Sequence, residues 1–317
     1  MSTAVAEASS SSRSRFALTQ DEVDAWEKNG FLGPYTACTA EEMDALRPIL
    51  FRAMHNVSRV YGFKTLRDHH LDCRACFDLC RHPAIVERIA SIYGPDLLLW
   101  RSNFFHKSPG GGPVDWHFGG WFPGHRNVPA IDPAENVTCW FALTRATRAN
   151  GCMKVIPGSH KNTFAHKKVD EGGLFDKVLD GLDPSDAVYI ELEPGQFFFF
   201  NEKLVHSSEA NGSDTERSGI AIRITPTSTR VYPNQKVDGQ GMHLKNWHAI
   251  LVSGEDRYGH NRLGPPPTED FYPAGALRKA LGRIRYHWQS YWYSYSKLDK
   301  AAGAFSGLRS EDGRLKI

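Results

Sequence analysis

The chain has 317 residues, 41% of them apolar and 23% charged, an ordinary composition for a globular protein with a sizeable core. Its 38 basic and 36 acidic residues leave a net charge of +2, which excludes a general binder of nucleic acid polymers or of anionic membrane. The longest apolar runs, 97–100 and 197–200, fall far short of the roughly 20 residues a spanning helix needs. Residues 1–15 are rich in Ser and Ala without an apolar stretch, so the expectation is a disordered lead-in and a cytoplasmic protein.

In chain order, helices come first. Thr19 with Glu22, and Thr39 with Glu42, are capping boxes, which predict one helix ending near Gly30 and a longer one through Met54. Cys73, Cys76 and Cys80 invite a metal reading, but Leu71, Phe77 and Leu79 place them on the inward face of a helical stretch. A further helix is predicted over 83–93, stopped by Gly94-Pro95. The texture then turns aromatic and β-branched, with strands predicted over 97–107, 137–144, 153–156, 187–192, 197–201 and 219–225. Turns at Asn150-Gly151, Pro157-Gly158 and Pro194-Gly195 separate them.

Short strands at even spacing, without helices between them, predict two antiparallel sheets. The fold class is therefore mainly β with flanking helices, a double-stranded β-helix (jelly roll). One domain over 16–317 is expected, ending in a basic and aromatic helix over 274–297. That helix interleaves Arg278, Lys279, Arg283 and Arg285 with Tyr286, Trp288, Tyr291, Trp292, Tyr293 and Tyr295. Its simplest role is to pack rings on the sheet while its cations stay in water.

Paired histidines on separate strands of a jelly roll suit a metal. His117, in Trp116-His117-Phe118-Gly119, and His206, in Val205-His206-Ser207-Ser208, lie 89 positions apart. A non-haem iron site commonly takes two imidazoles and one carboxylate and leaves three positions open. Here glycine stands where that carboxylate would be. Asp115 is nearby, but its side chain points to the face opposite its neighbours on a strand. His69, His70, His106, His125, His160, His243, His248 and His260 lack such pairing and are expected to serve packing or loop hydrogen bonds.

Phe105-His106-Lys107-Ser108-Pro109, Asp115-Trp116-His117, the stretch from Asn150 to His160, Pro194-Gly195-Gln196-Phe197 and Val205-His206-Ser207-Ser208 resemble the phytanoyl-CoA dioxygenase family of iron(II)/2-oxoglutarate enzymes. Within it, Phe16-Ala17-Leu18-Thr19, the stretch from Asn29 to Pro34 and Arg230-Val231-Tyr232-Pro233 look most like the aliphatic halogenases of the syringomycin threonyl halogenase type. The resemblance implies His117 and His206 as metal ligands for Fe(II). It implies Arg217 as the cation for the distal carboxylate of 2-oxoglutarate, with Lys107 and Trp140 lining the same pocket. Gly119, Phe122, Thr138 and Arg223 would form a halide pocket, with Gly119 and Arg223 serving the reaction. Loss of the carboxylate removes one charge and one oxygen, and chloride restores the charge. The implied cofactors are Fe(II), 2-oxoglutarate, chloride and O2.

The leading expectation is a halogenase that chlorinates an unactivated sp3 carbon of a small molecule in natural-product biosynthesis. A hydroxylase of the same family and a non-catalytic jelly-roll binding protein are the alternatives. Two substrate classes stay open. The arginines and rings of the C-terminal segment favour a free, phosphate-bearing molecule such as a deoxyadenosine nucleotide. The same residues would also serve as a docking face for an acyl carrier protein bearing an aminoacyl group.

Overall fold

The computed structural model describes residues 14–119, 130–162, 178–238 and 241–270. The C-terminal helix predicted over 274–297 and the segment holding Phe122 and His125 lie outside the described residues. Helix α1 (Gln20–Asn29) and helix α2 (Ala40–Met54) each begin on the expected capping box, Thr19 with Glu22 and Thr39 with Glu42. Strand β1 (Phe31–Thr36) runs between them. Its FLGPYT sequence contains Gly and Pro, which hid it from a reading by propensity. Helices α3 (Arg74–Cys80) and α4 (Pro83–Tyr93) follow. Cys73, Cys76 and Cys80 are buried among apolar side chains, as the helical-face reading expected.

The β region comprises β2 (Leu97–Lys107), β3 (Val114–His117), β4 (Ile131–Asp132), β5 (Val137–Ala142), β6 (Met153–Val155), β7 (Val188–Ile190), β8 (Gln196–Asn201), β9 (His206–Ser208), β10 (Arg217–Pro226), β11 (Arg230–Val231) and β12 (Ile250–Ser253). All their pairings are antiparallel. Six strands form one sheet in the order β1-β8-β5-β10-β2-β12, and four form a second in the order β3-β9-β6-β7. This is the jelly roll expected. Beyond Pro226 the sequence pattern loosens, yet β12 still pairs with β2 and closes the edge of the larger sheet. Among the described residues no helix is long and apolar enough to cross a membrane.

The strand period of two divides the large sheet into two environments. Cys139, Phe141, Phe197, Phe199, Ile220 and Ile222 pack outward against Trp26, Met43, Leu50, Ile85 and Ile89 of the helices. The intervening Trp140, Ala142, Phe198, Phe200 and Ala221 face Val155, Ile190, Leu192 and Leu204. The run Phe197 to Phe200 thus serves both layers by simple alternation, and all four rings are buried. The helices hold the back of the sheet rigid, and the front is left to the chemistry.

Candidate active site

β3 and β9 pair antiparallel in the smaller sheet, and their register sets His117 directly opposite His206. The two imidazole centroids lie 4.2 Å apart. His117 Nδ1–H donates to the carbonyl of Asp115 at 2.8 Å, and His206 Nδ1–H donates to that of Leu204 at 2.7 Å. Each bond fixes the tautomer and turns Nε2 toward the space between the strands, the usual way a metal-binding histidine is oriented. Burial lowers the proton affinity of His117. Burial and then the neighbouring His117 lower that of His206 further. Two neutral, pre-oriented imidazoles fit a divalent iron centre. Among the described residues no three metal-binding side chains converge, so the arrangement is a pair of imidazoles without a carboxylate. Asp115 contributes its carbonyl, and its side chain is exposed.

Gly119 follows two residues after His117, but the space beside it is not open. A Cβ built on Gly119 would lie 2.6 Å from Oε2 of Glu202 and closer still to Oε1. Glu202 is 4% exposed, and its backbone carbonyl accepts from the Gly119 N–H at 2.7 Å. The void expected at Gly119 therefore contains the chain's own carboxyl group, which is the main correction to the sequence reading. Asn136 Nδ2 donates to Glu202 Oε2 at 2.6 Å and to Thr138 Oγ1 at 3.2 Å, while its Oδ1 accepts from Trp100 Nε1 at 2.8 Å. Burial raises the Glu202 carboxyl, and the nearby Arg223, together with the Asn136 bond, opposes that rise.

Thr138 and Arg223 are cross-strand partners on β5 and β10, so two of the residues assigned to a halide pocket meet beside Glu202. Buried Arg223 Nε makes no hydrogen bond. On the other side of β10, Arg101 sits opposite Arg223 and donates to Asp238 at 2.9 Å and to the Tyr232 hydroxyl. Asp238 also accepts from Arg67 at 2.8 Å. The sequence reading missed Glu202, Asn136, Arg101 and Asp238.

The other end of the same face holds Lys107, Trp140 and Arg217. Arg217 pairs with Lys107 across β10 and β2, and its guanidinium lies 5.3 Å from the Trp140 ring centroid. Gly219 makes room for that ring, because a Cβ there would stand 2.6 Å from Trp140 Cη2. Arg217 donates to the Gly151 carbonyl at 3.1 and 2.7 Å. Lys107 Nζ donates to Ser208 Oγ at 2.9 Å and to the Glu209 carbonyl. Burial lowers Arg217 to about 10. Burial, then the adjacent Arg217, lowers Lys107 to about 8. Two buried cations bonded to neutral oxygens make a cradle for a dicarboxylate.

His69 and His70 lie in a short 3-10 turn, where His69 bonds the Thr65 carbonyl at 2.7 Å and His70 Nδ1 meets Ser102 Oγ at 2.8 Å. His106 bonds Ser218 Oγ at 2.7 Å, His160 the Glu27 carbonyl at 3.2 Å and His248 the Pro265 carbonyl at 3.1 Å. These are the structural roles expected of them.

A jelly roll with paired histidines at its mouth and a cationic cradle beside them defines the class of non-haem iron(II)/2-oxoglutarate-dependent oxygenases. The phytanoyl-CoA dioxygenase (PhyH) family model matches residues 26–219, more than half of the chain, and the chain belongs to that family. A probable phytanoyl-CoA dioxygenase of Caenorhabditis elegans is 29% identical over 195 residues, covering 58% of this chain and 61% of that protein. Among solved structures, CytC3 aligns with a TM-score of 0.67 and 32% identity, over 79% of this chain and 94% of CytC3. CytC3 with Fe(II) and alpha-ketoglutarate aligns over the same shares, with a TM-score of 0.65 and 30% identity.

Proposed function

We propose that this oxygenase is a halogenase, which uses Fe(II), 2-oxoglutarate, O2 and chloride to chlorinate an unactivated sp3 carbon of a small molecule. The observation that carries the reading is the pairing of His117 and His206 with a glycine, Gly119, at the place of the family's carboxylate ligand. When bound, the iron centre supplies the oxidising power. His117 and His206 would hold it through Nε2, and Arg217 and Lys107 would fix the cosubstrate carboxylate against Trp140. Thr138 and Arg223 would line the halide side, and the apolar wall of Phe198 and Phe200 excludes water that would compete for the metal.

A hydroxylase is the second reading, and the carboxyl group of Glu202 beside Gly119 is the observation in its favour. Turnover with and without chloride separates the two. A product that gains chlorine only when chloride is present supports the halogenase, and one that gains oxygen under both conditions sinks it.

For the substrate, we propose a free, phosphate-bearing molecule such as a deoxyadenosine nucleotide, for which the basic and aromatic composition of residues 274–297 is the support. A mass-spectrometric screen offering nucleotides and aminoacyl carrier proteins side by side tests this. Chlorination of only the carrier-bound group would overturn it.

A further inference from the structure

The halide pocket drawn from Gly119, Thr138 and Arg223 already holds a carboxyl side chain, that of Glu202, whose role no motif in the sequence indicates. Its backbone is pinned on both sides. The Glu202 carbonyl accepts from the Gly119 N–H at 2.7 Å, and the Glu202 N–H donates to the Asn136 carbonyl at 3.2 Å. These two bonds suffice to tie the loop to β3 and β5, so a structural role does not need the carboxyl group. Burying a carboxyl group is costly unless it is paired, yet among the described residues this one receives a single side-chain hydrogen bond, from Asn136 at 2.6 Å. Arg223, the cation beside it, keeps a buried Nε without a hydrogen bond. The carboxyl group lies about as far from the virtual Cβ of Gly119 as an aspartate's own carboxylate oxygens lie from theirs. With no three ligands converging among the described residues, the carboxyl group does not join His117 and His206 as a third ligand in this arrangement.

We propose that Glu202 decides which anion completes the metal site: its carboxylate is the resident anion of the pocket, and halide enters by displacing it toward Arg223. The glycine is then needed for two occupants in turn, the side chain of Glu202 and the halide. Any Cβ at position 119 meets the first of them. The identity of the incoming anion rests on the halogenase reading; the position of Glu202 does not.

The test follows chloride binding to the full chain loaded with Co(II) and 2-oxoglutarate without O2, using the visible absorption of cobalt. Glu202→Gln keeps the shape and the contact with Asn136 while removing the charge. It should bind chloride at least about tenfold more tightly than wild type, the size of effect one removed close charge commonly has. Glu202→Asp keeps the charge but draws it back by one carbon, and should fall between the two. It also serves if the Gln variant fails to fold, which the melting temperature reports. Equal or weaker chloride binding in the variants overturns the proposal and leaves the halogenase reading standing. Silence toward chloride in wild type and variants alike overturns the halogenase reading and the displacement with it.

Discussion

Two ends of one strand face carry the same residue type in opposite electrical settings. Arg217 and Arg223 lie on the same face of β10, six residues apart. At the Arg217 end the neighbouring charge is another cation, Lys107, and the hydrogen bonds of both go to neutral oxygens. At the Arg223 end, carboxylates are built in: Asp238 takes Arg101 and Arg67, and Glu202 lies beside Arg223. The first end has a surplus of positive charge that a bound dicarboxylate would neutralise. The second carries acidic side chains of its own, so an incoming anion has to compete with a side chain of the protein. Affinity at one end therefore comes from the chain's own charge, and at the other it depends on the metal and on displacement.

The largest effect is expected at the paired histidines. His206→Ala should weaken Co(II) or Fe(II) binding by more than about 100-fold, measured by anaerobic titration; metal affinity close to wild type would remove His206 from the ligand set. Next in size, Arg217→Ala should raise the KM for 2-oxoglutarate by about 100-fold, the scale for truncating one partner of a buried charge pair. Arg217→Lys should recover part of it, and metal affinity should stay unchanged. If metal affinity falls as well, the two ends are not independent.

Gly119→Asp places a second carboxylate on Glu202 and should suppress chlorination. It should also cost about 1–3 kcal/mol of stability through overpacking, read as a lower melting temperature. Glu202→Ala added to it removes the clashing group and should recover part of that stability; no recovery would separate Gly119 from Glu202. The smallest effect is a pH dependence. Lys107, lowered to about 8, is cationic below that pH and neutral above it. A bound carboxylate favours the cation, so the KM for 2-oxoglutarate should rise about tenfold from pH 7 to pH 9 as the proton is lost. Lys107→Met should flatten the profile, and an unchanged slope in that variant would assign the dependence to another group.

Local rules carried much of the architecture. The two capping boxes marked the starts of α1 and α2, and the aromatic run Phe197 to Phe200 marked a strand, which the structure buries on both faces. β1 escaped because Gly33-Pro34 is poor strand sequence, yet the strand is held by its pairing with β8. β12 escaped because nothing local distinguishes Ile250–Ser253 from a loop until β2 pairs with it. The paired histidines, opposite each other on β3 and β9, were legible through the family motifs around them. Glu202 was not, since an acid in Asn201-Glu202-Lys203 reads as the start of a solvated turn.

By itself, the sequence determined that two helical caps lead into a jelly roll, that His117 and His206 are set apart from the other histidines, and that glycine follows at position 119. Those properties reside in spacing, alternation and motif, which short-range sterics and period-two burial impose along the chain. The tertiary structure alone decided which charges share a cavity. Lys107 and Arg217 are 110 positions apart and adjacent in space, and Gly119 and Glu202 are 83 apart and in contact. Strand register brings such pairs together, and register depends on the whole sheet rather than on any one segment.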